Sequence, residues 1–270
     1  TQVIEQMQDA LIICDSKQRY LDANSAALAL FPHIKNLQPG DRFFVDKGMR
    51  FIEEMQLMVG DTLRTFKVSQ TQIRQGSKDS GVCILLHDIT QKQAMVEKLY
   101  DRATFDGLMN ILNRANFFER AEIALTDISS EFTLMMLDID HFKRVNDLYG
   151  HAGGDAALQR LAEAIKSVLR KTDLVGRYGG EEVVILLENV SLPAALVTAR
   201  RICLLAENMP IEHQGDKFYL TVSIGVSHSK IGQPHTLEIM IEQADKALYT
   251  VKNNGRNATL LYEEAEMALQ

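Results

Sequence analysis

The stretch FTLMMLDIDHFKRVNDLYGHAGGD, residues 132–155, decides the fold of the C-terminal part of the chain. Its apolar beginning predicts a buried strand over 132–137, which leads into two acids, Asp138 and Asp140. Because strand side chains alternate, two carboxylates two positions apart share one face. Such oxygens suit Mg²⁺, which prefers carboxylates together with substrate phosphates. Paired acids also occur in surface turns, so this pattern alone leaves both interpretations open.

A second acidic group follows two glycines in RYGGEEVVILL, residues 177–187. The apolar segments on either side predict a hairpin around Gly179 and Gly180, and a tight turn by itself accounts for both glycines. The same glycines also let a phosphate approach the backbone closely. If the hairpin brings Glu181 opposite Asp138, the two strand ends form a two-metal site for phosphoryl transfer.

Strands and helices alternate from residue 104 onward, which indicates an α/β domain. Outside the two acidic segments, apolar periodicity predicts helices over 116–125, 156–169, 193–207 and 236–252, and strands over 174–177, 218–226 and 258–261.

Residues 1–90 show strand periodicity between polar turns instead. Strands are predicted over 10–14, 19–23, 63–73 and 81–87, with a loop over 75–79. Asn24 is expected to cap a helix that ends at Leu30, because its side chain can accept a backbone N–H.

A charged helix is predicted over residues 91–103, between the two parts of the chain. Val96, Leu99 and Ala103 follow one another at steps of three and four, so one side of this helix is apolar. A helix packed on its own domain and a short parallel coiled coil between two subunits both fit this pattern, and the coiled coil is favoured.

Composition narrows the functional classes. With 46% hydrophobic and 24% charged residues, the 270-residue chain is globular and can bury a sizeable core. A net charge of -7 argues against general binding to nucleic acids or anionic membranes. Cys14, Cys83 and Cys203 form no CxxC pair, which favours a reducing cytoplasm. No apolar run has bilayer length and no signal peptide is visible; a membrane tether upstream of Thr1 stays open.

Four segments, in this order and spacing, resemble the GGDEF family of diguanylate cyclases. They are LDIDHFKRVNDLYGHAGGD (137–155), RYGGEEVVILL (177–187), VSIGVS (222–227) and ADKALYTVKNNGRN (244–257). The resemblance covers about residues 104–262. It implies a central, mostly antiparallel sheet surrounded by helices, and an enzyme that condenses two GTP molecules into cyclic di-GMP and two pyrophosphates.

The segments ALIICDSKQRYLDANSAAL (10–28) and GVCILLHDIT (81–90) resemble a PAS sensor domain over about residues 3–90. That fold is an antiparallel sheet with flanking helices. The expected order is therefore a PAS domain over 1–90, a linker helix over 91–103 and a cyclase domain over 104–270. The ligand of the PAS domain is left open: Cys14, Cys83 and His33 could touch a cofactor, and each also fits a packed or surface residue.

The cyclase resemblance implies two Mg²⁺ ions per active site, with Mn²⁺ as an alternative. Asp138, Glu181 and the backbone carbonyl of Ile139 would hold the metal. Glu181 would also take the proton from the attacking 3′-hydroxyl, with Glu182 in a supporting role. Lys143 would stabilise the charge that develops in the transition state.

The same resemblance implies the contacts to GTP. The helix that begins at Phe142 would offer N–H groups to phosphate, and Lys252 and Arg256 would clamp the terminal phosphates. Asn146 and Asp155 would read guanine, whose N1–H and N2–H can both donate to one carboxylate. Without the motif, Lys252 would be interpreted as a solvated lysine at a helix end.

Arg170, Asp173 and Arg201 resemble the family's inhibitory product site, where cyclic di-GMP would bind. By itself Arg170-x-x-Asp173 is also typical of a helix-end ion pair. A homodimer is expected, since two nucleotides must meet. The alternatives are a module that binds cyclic di-GMP without catalysis and an enzyme that makes mixed dinucleotides.

The family pattern leads to an expectation at three further positions. His151 matches the family and is expected to be a buried structural histidine. Val183 stands where an aromatic residue is usual, and as part of a strand core it should leave the chemistry unaffected. Met109 stands where Asp-x-Leu is commonly followed by threonine, a change that bears on how the start of the domain packs.

Overall fold

The computed structural model of the chain describes residues 2–17, 19–41, 53–75, 78–232 and 236–268. The chain divides into two compact units, Thr1–Leu99 and Tyr100–Gln270. The division falls inside helix α3, Thr90–Thr104, which covers the predicted linker. Each unit has its own sheet and its own hydrophobic core. No helix in the described part of the chain is long and apolar enough to cross a bilayer.

The N-terminal unit is an antiparallel sheet in the strand order β2-β1-β5-β4-β3. Its strands are β1 Ala10–Asp15, β2 Tyr20–Ala23, β3 Glu54–Val59, β4 Thr62–Gln75 and β5 Lys78–Asp88, and its short helices are α1 Gln2–Glu5, α2 Ser25–Leu30 and a 3-10 turn over Pro32–Asn36. The four predicted strands are confirmed, and β3 was missed. The loop predicted over 75–79 is too long, because strand continues to Gln75 and resumes at Lys78; residues 76–77 lie outside the described part.

Asn24 organises one end of this sheet. Its Oδ1 accepts hydrogen bonds from Leu11 N at 2.9 Å and Ala27 N at 3.0 Å, so it caps α2 as predicted. Its Nδ2 donates to the carbonyls of Ile4 and Asp9 at 3.2 and 2.8 Å. The amide is fully buried and every partner is backbone, which makes it a structural residue.

The cysteines of this unit are packed residues. Cys14 lies in the apolar core, where burial, followed by the charge of Asp15, raises the pKa of its thiol to about 11. Cys83 is half-buried, and burial raises its pKa as well. The side chain of His33 lies outside the described residues.

The C-terminal unit has a five-stranded sheet in the order β12-β11-β6-β8-β7, as well as a small hairpin. Its strands are β6 Phe132–Ile139, β7 Leu174–Arg177, β8 Glu182–Glu188, β9 Ile211–His213, β10 Asp216–Phe218, β11 Val222–Ser229 and β12 Thr259–Leu261, and its helices are α4 Arg114–Ala124, α5 Phe142–Val168, α6 Leu192–Asn208, α7 Leu237–Asn253 and α8 Tyr262–Ala268. Within the described strands of this sheet, β11 and β12 pair in parallel and the other pairs are antiparallel, so the expected mostly antiparallel sheet is confirmed.

Helices cover both faces of this sheet. Met135 and Leu137 pack with α5 and α6, whereas Leu134 and Met136 pack with α4 and α7. Because β6 and β8 are buried on both faces, their sequences are continuous apolar runs rather than alternating ones.

Two predicted elements need correction. The strand predicted over 218–226 is two strands: β10 ends at Phe218 in a hairpin with β9, and β11 begins at Val222. The aromatic ring of Phe218 stacks on Tyr149 with centroids 4.0 Å apart, and Phe218 belongs to the core on the α5 face of the central sheet. The helix predicted over 156–169 is the second arm of α5, which is interrupted at Gly150.

Candidate active site

An acidic strand end lies at one edge of the central sheet. The antiparallel pairing of β6 with β8 sets Asp138 opposite Glu182. Lys252, in the last turn of α7, places its Nζ 2.8 Å from Asp138 Oδ2. Burial raises the pKa of Asp138, and the charges of Glu181 and Asp140 add to this effect while Lys252 opposes it. This edge therefore carries more negative charge than the one lysine offsets.

The glycine hairpin joins β7 to β8 at the same edge. Tyr178 N–H donates to the Glu182 carbonyl at 2.9 Å, and Glu182 N–H donates to the Gly179 carbonyl at 3.3 Å. Burial raises the pKa of Glu182, and the charge of Asp138 acts in the same direction. Glu181 is half-buried between Gly180 and the first residue of β8.

This edge fits a magnesium ion. Among the described residues, no three Asp, Glu, His or Cys side chains converge at metal-binding spacing. A set of two carboxylates and a backbone carbonyl, as expected for Asp138, Glu181 and Ile139, suits Mg²⁺, which leaves its other positions to water and substrate phosphates. Carboxylates that are desolvated beside one another also favour a bound cation.

The hairpin is anchored by Arg177, to which sequence analysis gave no role. Its Nε and Nη2 donate to the Gly180 carbonyl at 3.1 and 2.7 Å, and its Nη1 reaches both Asp106 oxygens at 3.2 and 3.0 Å. Burial alone would raise the pKa of Asp106, but hydrogen bonds from Met109 N–H and Arg177 outweigh it and hold that pKa below its usual value. Arg177 stood at the start of a quoted segment, but its partner Asp106 lies 71 residues earlier, so local spacing gave no signal for this pair.

Aromatic contacts support the other side of the hairpin. The guanidinium of Arg114 lies 4.4 Å from the centre of the Tyr178 ring, which stacks on Phe118. Val183 is fully buried in the strand core, as expected. Met109 is also buried, and the turn beside it keeps the Asp106 hydrogen bonds, so the change from threonine is accommodated.

The two acids of the first motif have different surroundings. Asp138 ends up beside Lys252 and Glu182, whereas the Asp140 carboxylate accepts hydrogen bonds from Thr221, Ser223 and Asn257. The interpretation of the pair as metal ligands therefore applies to Asp138 alone.

Helix α5 begins directly after these acids. Its N-cap residue His141 has a φ of 56° and makes no side-chain capping bond, and Phe142 and Lys143 form the first turn. A helix start of this kind presents N–H groups and positive dipole to an anion. Lys143 is exposed.

Gly150 divides α5 into two arms, with φ 70° and ψ 171°. The arms touch at Gly154: a Cβ added there would lie 2.0 Å from Asn146 Oδ1 and 3.2 Å from the Phe142 ring. Asn146 is thus held against the residue that precedes Asp155, which is exposed. His151 is exposed too, so the expectation of a buried structural histidine was wrong.

Lys252 and Arg256 flank the end of α7. Lys252 is 31% exposed and paired with Asp138, so it is not a freely solvated lysine. Arg256 is exposed, in a turn where its N–H donates to the Val251 carbonyl at 3.1 Å.

Arg170 and Asp173 precede β7, at the end of the hairpin opposite the glycines. The Arg170 N–H donates to Asp173 Oδ2 at 2.7 Å, and among the described residues no partner of the Arg170 guanidinium is found. Asp173 Oδ1 is buried without a hydrogen bond. The ion pair typical of this spacing is absent from the described structure. Arg201 is exposed on α6.

Comparison with known proteins gives consistent results. The family described as "Diguanylate cyclase, GGDEF domain" matches residues 103–258. Diguanylate cyclase DgcM of Escherichia coli (strain K12) is 37% identical over 185 residues, 67% of this chain and 44% of the relative. Diguanylate cyclase A of Treponema denticola is 39% identical over 170 residues, 61% of this chain and 46% of the relative. This chain thus spans about half the length of these relatives.

Solved structures agree with the sequence matches. The GGDEF domain of DgcB from Caulobacter crescentus, in complex with c-di-GMP, is 31% identical with a TM-score of 0.57, covering 60% of this chain and 96% of that one. The active GGEEF domain of a diguanylate cyclase from Vibrio cholerae is 32% identical with a TM-score of 0.51, covering 56% and 96%. The family match extends over more than half of the chain, and the chain belongs to the GGDEF diguanylate cyclase family.

Proposed function

We propose that this chain is a diguanylate cyclase that condenses two GTP molecules into cyclic di-GMP and two pyrophosphates. One observation carries the proposal: Asp138, Glu182 and Lys252 meet at the sheet edge where the glycine hairpin also ends. The relatives named as diguanylate cyclases support it.

The proposed reaction is an in-line transfer between two bound nucleotides. The 3′-oxygen of one GTP attacks the α-phosphorus of the other; the new P–O bond forms as the bond to the β-phosphate oxygen breaks, and pyrophosphate leaves. Repeating the step in the other direction closes the ring. Mg²⁺, held by Asp138, Glu181 and the Ile139 carbonyl, would supply charge neutralisation at the phosphates.

The residues of the chain have separate roles in the proposed reaction. Glu181 accepts the proton of the 3′-hydroxyl, with Glu182 beside it, and Lys143 stabilises the developing phosphate charge. The first turn of α5 at Phe142 and the cations Lys252 and Arg256 hold the phosphates.

Guanine selection is assigned to Asn146 and Asp155. Contact of the two arms of α5 at Gly154 supports this pairing, because it holds the Asn146 side chain next to the start of the arm that carries Asp155. A carboxylate accepts the two N–H donors of guanine, and adenine offers neither donor at those positions.

The active unit is proposed to be a homodimer, because each domain binds one nucleotide and the two must face each other. Helix α3 supports this: Met95, Val96, Leu99 and Tyr100 are all more than half exposed. Substitution of Val96 and Leu99 by Glu should lower the specific activity at low concentration, with Lys92→Glu as the exposed control. Activity per chain that stays constant on dilution of both proteins would contradict the dimer.

Residues 1–90 are proposed to form a PAS sensor domain. The five-stranded antiparallel sheet with α2 beside it is consistent with that architecture. An absorption spectrum and a mass spectrum of the purified chain would identify a bound cofactor. We also propose a cytoplasmic site of action.

Product feedback is proposed at Arg170, Asp173 and Arg201. The exposed guanidinium of Arg170 and the unpaired Asp173 Oδ1 can bind phosphate and a guanine N–H of cyclic di-GMP.

The direct test is to incubate the full chain with Mg²⁺ and GTP, ATP or their mixture, and to identify products by mass spectrometry. Cyclic di-GMP from GTP alone is the expected result. Binding of cyclic di-GMP without synthesis would favour the receptor alternative, and a mixed dinucleotide would favour broader purine choice.

A further inference from the structure

Asp140 is a buried carboxylate that the proposed chemistry leaves without a role, with 5% of its surface exposed. Its Oδ2 accepts hydrogen bonds from Thr221 Oγ1 at 2.7 Å and from Asn257 N at 3.0 Å, and its Oδ1 accepts one from Ser223 Oγ at 2.6 Å. The Asp140 N–H donates to the Thr221 carbonyl at 2.9 Å. This one residue therefore joins the end of β6, the start of β11 and the turn after α7.

The turn that Asp140 holds carries the proposed phosphate-binding residues. Lys252 lies in the last turn of α7, and Arg256 and Asn257 follow with φ of 63° and 45°. Asparagine adopts this left-handed region fairly readily, but arginine rarely does, so the contacts that hold the turn matter most at Arg256. The bond from Arg256 N–H to Val251 holds the turn to the helix, and the bond from Asn257 N–H to Asp140 holds it to the sheet.

We propose that Asp140 is a positioning residue that sets the Arg256 turn for binding the phosphates of GTP, and that it is not a metal ligand. Three donors, two of them hydroxyls, already point at its oxygens. They fill about three of the four acceptor positions of a carboxylate that is 5% exposed, which leaves little room for a metal ion. Asp138, two residues earlier, pairs with a single side chain among the described residues, that of Lys252. The inference rests on the proposed cyclase function, because it assigns the turn to that substrate.

Two substitutions separate positioning from metal binding. In Asp140→Asn the amide oxygen can still accept from Thr221 and Asn257, and the amide N–H₂ can donate to the Ser223 hydroxyl, which accepts as well as donates. All three links survive without the charge that a metal ligand needs. Asp140→Ala removes all three links. Thr221→Val is the matched control, because it removes one donor and leaves the bond to the turn.

Steady-state kinetics of the full chain provide the first test. Asp140→Ala should raise the KM for GTP by about tenfold or more, the usual scale for a lost hydrogen bond to a charged group. The Mg²⁺ concentration for half-maximal rate at saturating GTP should stay unchanged. Asp140→Asn and Thr221→Val should keep a KM within about threefold of the parent. A shifted Mg²⁺ requirement in Asp140→Asn, or an unchanged KM in Asp140→Ala, would overturn the proposal.

Hydrogen exchange provides a test that needs no activity. The peptide covering residues 254–257 should lose protection in Asp140→Ala and keep it in Asp140→Asn. Equal protection of this peptide in the two variants would contradict the proposal even if the chain makes cyclic di-GMP. An inactive parent protein with the expected exchange pattern would count against the cyclase function alone. If the alanine variant does not fold, Asp140→Leu replaces it in both tests, because leucine keeps the branched shape of the side chain and removes all three acceptor contacts.

Discussion

The β7–β8 hairpin has two ends whose charged groups differ in kind. At the glycine end, Asp138 is paired with Lys252, and Arg177 is bound to Asp106 and the Gly180 carbonyl. At the other end, the Arg170 guanidinium is exposed, and Asp173 bonds to backbone with one oxygen and leaves the other buried and unpaired. The charged groups of the glycine end are already held by protein partners, whereas the other end keeps polar groups without a hydrogen-bond partner.

This difference matches what the two proposed tasks require. Phosphoryl transfer depends on groups held in place before the substrate binds, because reorganisation during the reaction adds to the barrier. A feedback site needs only to bind its ligand, and unsatisfied donors and acceptors gain most from doing so. Binding of cyclic di-GMP at the proposed product site would then lower catalysis at the other end, which is an allosteric coupling between two distinct sites.

The largest effect is expected at the glycine end. Glu181→Gln should lower kcat at least about a thousandfold, because it removes a charge that both the metal and the proton transfer need while nearly preserving shape. Glu188→Gln, at the far end of β8, is the control and should retain activity. Quantifying cyclic di-GMP in both variants is the measurement. Robust synthesis by a folded Glu181→Gln protein would refute the assignment.

Arg170→Ala should affect product binding at the opposite end of the hairpin and leave catalysis unchanged. Loss of a bidentate contact should weaken cyclic di-GMP binding by about 2 kcal/mol, roughly thirtyfold, with no change in initial rate. Progress curves should stay linear where those of the parent bend. Lys171→Ala, an exposed neighbour, should behave like the parent. Unchanged curvature and calorimetric affinity in Arg170→Ala would leave that arginine without a role.

Gly154→Ala tests the proposed reading of guanine by Asn146 and Asp155. The added methyl would displace the Asn146 amide, which is the end of a side chain, so the KM for GTP should rise about tenfold. Stability should not fall much, because alanine is the better helix residue by about 1 kcal/mol. Gly107→Ala, which meets nothing within 4 Å, is the control. A loss of fold with unchanged KM in the remaining protein would contradict this explanation.

Arg201→Ala should have the smallest effect. Its side chain is exposed on α6, so the loss of product affinity should be about threefold, in keeping with a solvated ion pair. Arg200→Ala, one position earlier and also exposed, should show none. The measurement is calorimetry of both variants with cyclic di-GMP. Equal losses of affinity in the two variants would indicate general charge attraction instead of a specific contact.

Most elements could be predicted because local patterns determine them. The Asn24 cap, the buried run of β6 and the glycine hairpin each follow from short segments, and the structure confirms them. The roles of the site residues, the PAS assignment and the dimer stay predictions. β3 was missed because none of its side chains is fully buried. Its sequence therefore lacks the clear alternation of apolar and polar residues that marks a strand.

Long-range contacts could not be predicted from these patterns. Asp140 meets Thr221 and Asn257, and Arg177 meets Asp106, across separations that no local periodicity encodes. The stacking of Phe218 on Tyr149, beside the split between β10 and β11, is likewise a contact between distant residues, and the exposed His151 directly follows the break at Gly150.

The most direct test of the two-ended hairpin combines calorimetry with product analysis on Glu181→Gln and Arg170→Ala. The account predicts opposite losses: Glu181→Gln binds cyclic di-GMP with the parent's affinity and makes none, while Arg170→Ala makes it at the parent's initial rate and binds it roughly thirtyfold more weakly. If one substitution removed synthesis and product binding together, catalysis and feedback would share a single site, and the separation of the two ends would be wrong.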